Sequence, residues 1–328
     1  MRALVTGGAG YIGSHAARFL AEAGWEVIIL DSFVRGHRAA TRGLPVAEGD
    51  ILDARFLAEV FKRERVDAVL HFAAFIEMGE SVRDPVKFYV NNLAGGIMLL
   101  EAAVRAGVPR FVFSSTAGVY GMPRETPVTE EAPTAPINPY GHTKRDFETA
   151  LEYARGAYGL SYASLRYFNA AGAHPDGTMG EDHRPESHLI PRILRGAMDG
   201  REVSVYGNDY PTPDGTCVRD YIHVVDLAAA HALALEALGG EKARGEIFNL
   251  GNGEGFSVRQ VIERAGRITG LPIKVKEGPR RPGDAAVLVA SSEKARRVLG
   301  WRPRYADIDA IIATAWKWHS SHKKGYGE

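Results

Sequence analysis

The stretch "ALVTGGAGYIGSHAARFLAEAG", residues 3–24, constrains the chain more than any other. An apolar, strand-like run ends at Thr6, glycines follow at Gly7, Gly10 and Gly13, and Ile12, Ala16, Phe19, Leu20 and Ala23 then recur on one helical face. Glycines at a strand-to-helix turn admit close backbone approach, and a helix N-terminus favours negative charge. A second strand, "EVIILD", ends at Asp31, 18 residues past Gly13. A carboxylate there accepts from ribose hydroxyls and repels a 2′-phosphate. These residues therefore predict a pyrophosphate-binding turn for NAD rather than NADP, with Tyr11 and Ile12 inside it. "AEGDI" sets Asp50 and Ile51 at the end of a third strand, within reach of an adenine amino group; the plainer reading is a loop aspartate.

The alternation continues. "AVLHFA" and "RFVFSS" read as further strands, and helices begin near Asp84 and Pro139. Strand–helix alternation implies an α/β chain with a Rossmann-type, doubly wound parallel sheet covered on both faces. After Gly172 the rhythm breaks into two polar, Gly/Pro-rich loops, "AHPDGTMGEDHRPESH" and "GNDYPTPDGT". Between and after them come helices near Leu189, Val225 and Ser257 and strands "EVSVYG", "RDYIHV", "EIFNLG" and "IKVKEG". Loops this long are more often binding elements than accidents. The expected organisation is a dinucleotide-binding domain over 1–172, completed by segments near 219–250, and a smaller α/β substrate-binding part over 173–328.

Lys+Arg and Asp+Glu both number 40, which argues against a basic nucleic-acid or membrane-surface protein. One cysteine, Cys217, excludes an internal disulfide framework and fits a reducing cytoplasm; no signal peptide or apolar run of membrane-spanning length is read. No metal is expected: the eleven histidines form no recognisable ligand spacing, and His319 and His322 read as a solvated polar tail.

In "NPYGHTKRDFETALEYARGAYG", Asn138 and Pro139 open a helix whose apolar stripe is Phe147, Leu151, Ala154 and Tyr158. Traced backwards, that stripe meets Lys144 and Tyr140, so an ammonium and a phenol face the protein. Packing alone would allow this. "FVFSSTAGVYG", however, adds Ser114, Ser115 and Thr116 after a strand, and a phenol becomes a useful base once a nearby cation stabilises its anion.

The glycine spacing together with Y-x-x-x-K resembles the extended short-chain dehydrogenase/reductase family. "HFAA", "NPYGHTK", "LRYFNAAGAHPDG", "GNDYPTPDGTCVRDYIHVVDLA" and "RRPGD" narrow the resemblance to the sugar-nucleotide 4-epimerases within it. The resemblance implies a catalytic set of Thr116, Tyr140 and Lys144. It implies tightly bound NAD against Phe72, Ala73, Ala74, Asn91, Ser114, Tyr140, Lys144, Tyr167 and Phe168. A UDP-hexose would meet Thr116, Asn169, Leu189, Ser204, Tyr206, Arg219, Arg281 and Asp284. The implied activity is reversible epimerisation of UDP-glucose and UDP-galactose at C4 through a transient 4-keto sugar, in a cytoplasmic homodimer. Leu288 stands where some members carry a larger tyrosine, which would leave room for an N-acetyl group. A UDP-N-acetylglucosamine or bifunctional 4-epimerase is thus the alternative. Ile76 replaces a lysine of some members and receives no role. A dehydratase would need an acid–base pair after Thr116, where this chain has Ala117 and Gly118. A non-catalytic NAD sensor would have no use for the intact set.

Overall fold

Continuous apolar runs need cover on both faces, and here they have it. The computed structural model describes residues 1–240, 244–281 and 283–327. Six strands come first: β1 (Arg2–Thr6), β2 (Glu26–Asp31), β3 (Val46–Glu48), β4 (Ala68–His71), β5 (Arg110–Ser114) and β6 (Ser161–Tyr167). They are followed by β7 (Asn169–Ala171), β8 (Val203–Tyr206), β9 (Val218–His223), β10 (Glu246–Leu250), β11 (Gly255–Ser257), β12 (Val275–Gly278) and β13 (Val287–Leu288). Seven build one parallel sheet in the order β10-β6-β5-β4-β1-β2-β3. The order reverses beside β1, which opens a crevice at the carboxyl ends of β1 and β4.

Because side chains alternate along a strand, β1 feeds two cores. Ala3 and Val5 join Leu20 of the helix Tyr11–Glu22 and Leu227 and Leu235 of the helix Val224–Ala237. Leu4 turns the other way, to Leu57, Leu99, Phe147 and Leu151 from the helices Ala54–Glu64, Gly95–Arg105 and Pro139–Tyr158. All of these side chains are essentially removed from water, each one larger than alanine being worth about 1.5–3 kcal/mol against exposure.

In the C-terminal half, β9 pairs with β11 antiparallel and with β7 and β13 in parallel, while β8 pairs with β12. A third core gathers Ile193, Val261, Ile308 and Ile312 from the helices Leu189–Asp199, Val258–Thr269 and Ile308–Ser321. The chain commutes between the two halves. It leaves the large sheet after Tyr167, returns with the helix Val224–Ala237 and β10, and leaves again at Gly255. Ala295, Leu299 and Trp301 then rejoin the first core before the last helix enters the third. Trp301 Nε1 donates to Asp226 O at 2.9 Å, fastening that return.

Three sequence expectations are corrected, and one helix is new. The segment expected as a helix from Asp84 is broken into Pro85–Phe88, capped by the Asp84 carboxylate, a π turn at Tyr89–Ala94, and Gly95–Arg105. Tyr158 leaves the buried stripe and is exposed, because the helix ends there at Gly159. His319 is not solvated: it is buried on the helix Ile308–Ser321, and His322 stacks on Trp318 with ring centroids 3.8 Å apart. The helix Ala54–Glu64, whose N-cap Asp53 accepts from Arg55 N and Phe56 N, had gone unread. Pro282 of the "RRPGD" motif lies outside the described residues.

Candidate active site

A cleft of about 1140 Å³ runs from the glycine turn across the ends of β4 and β5 into the C-terminal half. Every residue singled out for cofactor or sugar lines it, except Lys144, Leu189, Ser204 and Tyr206.

At one end, Gly7 has φ +70°, and a Cβ there would stand 2.5 Å from Ala73 N. A Cβ on Gly13 would stand 2.2 Å from Gly7 O. The turn therefore demands glycine at both places. Gly10 caps the helix Tyr11–Glu22 with no side-chain hydrogen bond, leaving its first backbone N–H groups to an anion. Asp31, nearly buried, accepts from Ala9 N and Phe33 N at 2.9 Å each and keeps lone pairs for hydroxyl donors. Cradle, free helix end and acidic strand end together fit a dinucleotide. Asp50 is exposed, with Oδ1 accepting from Leu52 N, and Ile51 is buried against Gly95.

At the end of β5 the helix Pro139–Tyr158 delivers its polar pair. Asn138 caps it by accepting from Gly141 N at 2.9 Å. Tyr140 reaches the cleft, where Thr116 also lies, its Oγ1 accepting from Gly118 N at 3.1 Å. Lys144 stays behind: buried, its Nζ donates to Ser114 O at 2.9 Å and lies 4.8 Å from the Phe113 ring centroid and 5.9 Å from that of Tyr140. Burial pulls the Lys144 ammonium down to about 7, against the raising effect of Glu148. Burial, aided by Tyr167, pushes the Tyr140 phenol well above its ordinary value, and the neighbouring Thr116 hydroxyl opposes this. Tyr140 thus carries its proton until more positive charge enters the cleft. Ser114 Oγ and Tyr167 OH are 2.9 Å apart.

Three supports escaped the sequence reading. Asn92 in the π turn accepts from Phe75 N at 2.8 Å and donates to Phe75 O at 2.9 Å, fixing the cleft wall after β4. Glu148, one turn beyond Lys144, accepts from Ser115 Oγ at 2.6 Å and from both Nε and Nη2 of buried Arg166, at 3.0 and 2.6 Å. Arg166 donates onward to Tyr120 OH at 2.9 Å, and Tyr120 to Asn249 Oδ1 at 2.7 Å. The same i, i+4 spacing that joined Tyr140 to Lys144 could have found Glu148.

At the far end, Asn169 Nδ2 donates to Asp220 O at 2.8 Å. Arg219 donates to Ala285 O at 2.7 Å and stands 3.5 Å from Asp284. Arg281 lies 3.9 Å from the Tyr206 ring centroid. One face of the Tyr206 ring is therefore covered by a guanidinium. Ser204 shares its strand face, and Leu189 packs on the third core.

Residues 3–251 match the model of the NAD dependent epimerase/dehydratase family. The chain belongs to that family. It is 52% identical to a UDP-glucose 4-epimerase of Streptomyces lividans over 99% of this chain and 98% of that one. A UDP-glucose 4-epimerase of Lacticaseibacillus casei is 50% identical over 100% and 99%. Among solved structures, a UDP-glucose 4-epimerase from Brucella ovis in complex with NAD superposes with a TM-score of 0.93 at 46% identity, covering 96% of this chain and 97% of that one.

Proposed function

We propose that this epimerase-family chain interconverts UDP-glucose and UDP-galactose at C4 through a transient 4-keto sugar. One observation carries the reading: a single cleft joins the glycine turn and Asp31 at one end to Asn169, Arg219, Arg281 and Asp284 at the other, with Tyr140 and Thr116 between. That is room for a dinucleotide and a sugar nucleotide meeting at a phenol.

The residues that would hold NAD are the turn Gly7–Gly13, Asp31, Asp50, Ile51, Phe72–Ala74, Asn91, Ser114, Tyr167 and Phe168. When bound, NAD supplies the acceptor and donor for the hydrogen on C4. Tyr140 takes the 4-hydroxyl proton, and Thr116 holds the same oxygen by a hydrogen bond. Lys144, buried against β5, contributes positive charge from behind the phenol. Arg219 and Arg281 have the planar forks that suit diphosphate oxygens. With Asn169 they would grip the tether while the keto sugar turns its other face, and Tyr140 would then return the proton. Residues 1–172 with β10 would serve the cofactor and 173–328 mainly the UDP-sugar.

Leu288 lines the cleft and favours a second reading, acceptance of N-acetylated UDP-hexoses. Among the described residues no helix is long and apolar enough to cross a membrane, in keeping with a cytoplasmic enzyme. Exposed Val82, Val86, Val90 and Ile97, with Tyr153 and Tyr158, support a homodimer. The test is incubation with UDP-galactose and, separately, UDP-N-acetylgalactosamine, with products resolved by anion-exchange chromatography. UDP-glucose formed without net NADH supports the reading; bound NAD with neither sugar converted overturns it.

A further inference from the structure

The polar loop between β7 and the helix Leu189–Asp199 carries Glu181, His183, Glu186 and His188 within eight residues. Each presents one ligand-type atom, and the four atoms lie within 4.8 Å of one another. His183 Nδ1 is 3.0 Å from Glu181 Oε1 and 4.0 Å from Glu186 Oε1. His188 Nδ1 is 2.7 Å from Glu181 Oε1 and 3.2 Å from Glu186 Oε1. The two imidazole rings lie with centroids 5.2 Å apart, their planes tilted by 46°.

A tetrahedral site with metal–ligand bonds of about 2.0–2.1 Å has edges of roughly 3.3 Å. The four N···O separations straddle that value. Two histidine–glutamate ion pairs would need only two of these approaches. A second observation separates the readings. The Glu186 side chain is only 7% exposed, and its Oε1 already accepts from His188 N at 2.9 Å. Among the described residues its other oxygen, Oε2, is buried with no hydrogen-bond partner. A buried carboxylate oxygen without a donor is costly unless a cation meets it.

We infer that Glu181, His183, Glu186 and His188 form a binding site for a divalent transition-metal ion, zinc by preference. Two neutral imidazoles and two carboxylates are a donor set suited to zinc, and four protein ligands leave no open position for chemistry. The role is structural. Around the site, the Glu181 carbonyl accepts from Trp318 Nε1 at 3.2 Å, and the His183 ring lies edge-on to Tyr11 with centroids 6.2 Å apart. Tyr11 OH in turn donates to Gly172 O at 2.7 Å. A bound ion would therefore staple the loop to the last helix on one side and to the start of the helix Tyr11–Glu22 on the other. All four residues line the cleft, so the staple would also fix one of its walls.

The sequence reading found no metal site because spacings of two, three and two residues fit no regular element; the loop's own folding gathers the ligands.

The test uses tag-free, full-length protein, dialysed against a chelator and then titrated with Zn²⁺ by calorimetry. One equivalent per chain is expected, with Co²⁺ at the same site giving the strong visible absorption of a tetrahedral ion. The paired variant His183→Asn/His188→Asn should lose that equivalent or bind it well beyond 100-fold more weakly, since even an outer partner is worth roughly 10–100-fold. Chelation should lower the unfolding temperature of the parent and leave the variant's unchanged. Absence of binding, or equal binding by a folded variant, overturns the inference. Should the variant not fold, zinc-edge X-ray absorption on the parent decides: four N/O neighbours near 2.0 Å support the site, and a six-coordinate shell overturns it.

Discussion

Lys144→Met should stabilise the cofactor-stripped protein at neutral pH and stop stabilising it in alkali. The lysine is buried at 4% exposure, and burial takes its ammonium from the ordinary 10.5 to about 7. Because folding depresses the pKa of this base, the unfolded chain binds the proton more tightly than the folded one. The resulting penalty is complete below about pH 7 and fades as pH climbs toward 10.5. A gap of about 3.5 at roughly 1.4 kcal/mol for each pH unit makes the charged lysine cost the fold roughly 4 kcal/mol near pH 7. Methionine removes that penalty but leaves Ser114 O without its donor, now 2.9 Å away, at a cost of about 1–3 kcal/mol. The net expectation is a gain of roughly 1–3 kcal/mol at pH 7. Near pH 10, where less than about 1 kcal/mol of the penalty remains, the variant should be neutral or less stable than the parent. Urea unfolding of both proteins at several pH values reads the difference directly. A difference that stays flat from about pH 6.5 to pH 10 would refute the claim that a strained ammonium sits behind Tyr140. Epimerisation by the variant should be lost at every pH.

Tyr140→Phe should keep NAD through purification yet slow epimerisation by about 100-fold or more, measured as UDP-glucose formed from UDP-galactose. Gly13→Ala should abolish NAD retention, read from the absorbance of the purified protein, because the new methyl would sit 2.2 Å from Gly7 O. Glu148→Gln leaves Arg166 buried with no counter-charge and should cost about 3–5 kcal/mol in chemical unfolding. Leu288→Tyr should reduce turnover of UDP-N-acetylgalactosamine more than that of UDP-galactose in paired steady-state assays.

What the sequence reveals here depends on how local each feature's physics is. The glycine turn, Asp31 and the first strands are legible because the chain satisfies them within about 30 residues, by rules of backbone conformation and apolar runs. Tyr140 and Lys144 are legible because helix periodicity puts them on a face that Phe147 and Leu151 already declare buried. The π turn at Tyr89–Ala94 is not, since one extra residue in a turn shifts the apolar stripe and hides Asn92. The Arg281 guanidinium 3.9 Å from the Tyr206 ring centroid is not legible, because it is set by tertiary packing rather than by the alternation along β8. His319 reads as tail because its neighbours are polar. Trp318 beside it is fully buried, and a single anchored residue of that size carries the helix inward.

The route of the chain bears on how specificity can be re-engineered. Since the polypeptide passes between the halves after Tyr167, at Val224, after Leu250 and around Trp301, the C-terminal half is not a cassette with one seam. A chimera cut at a single junction would set a β10 from one parent against a parallel sheet from the other, or the last helix of one parent into a third core partly built by the other. Exchange of substrate preference between relatives is therefore open to point changes in the cleft, such as Leu288. It is closed to recombination at one breakpoint, and shuffled libraries of such chains should yield folded members only where all the crossings come from one parent.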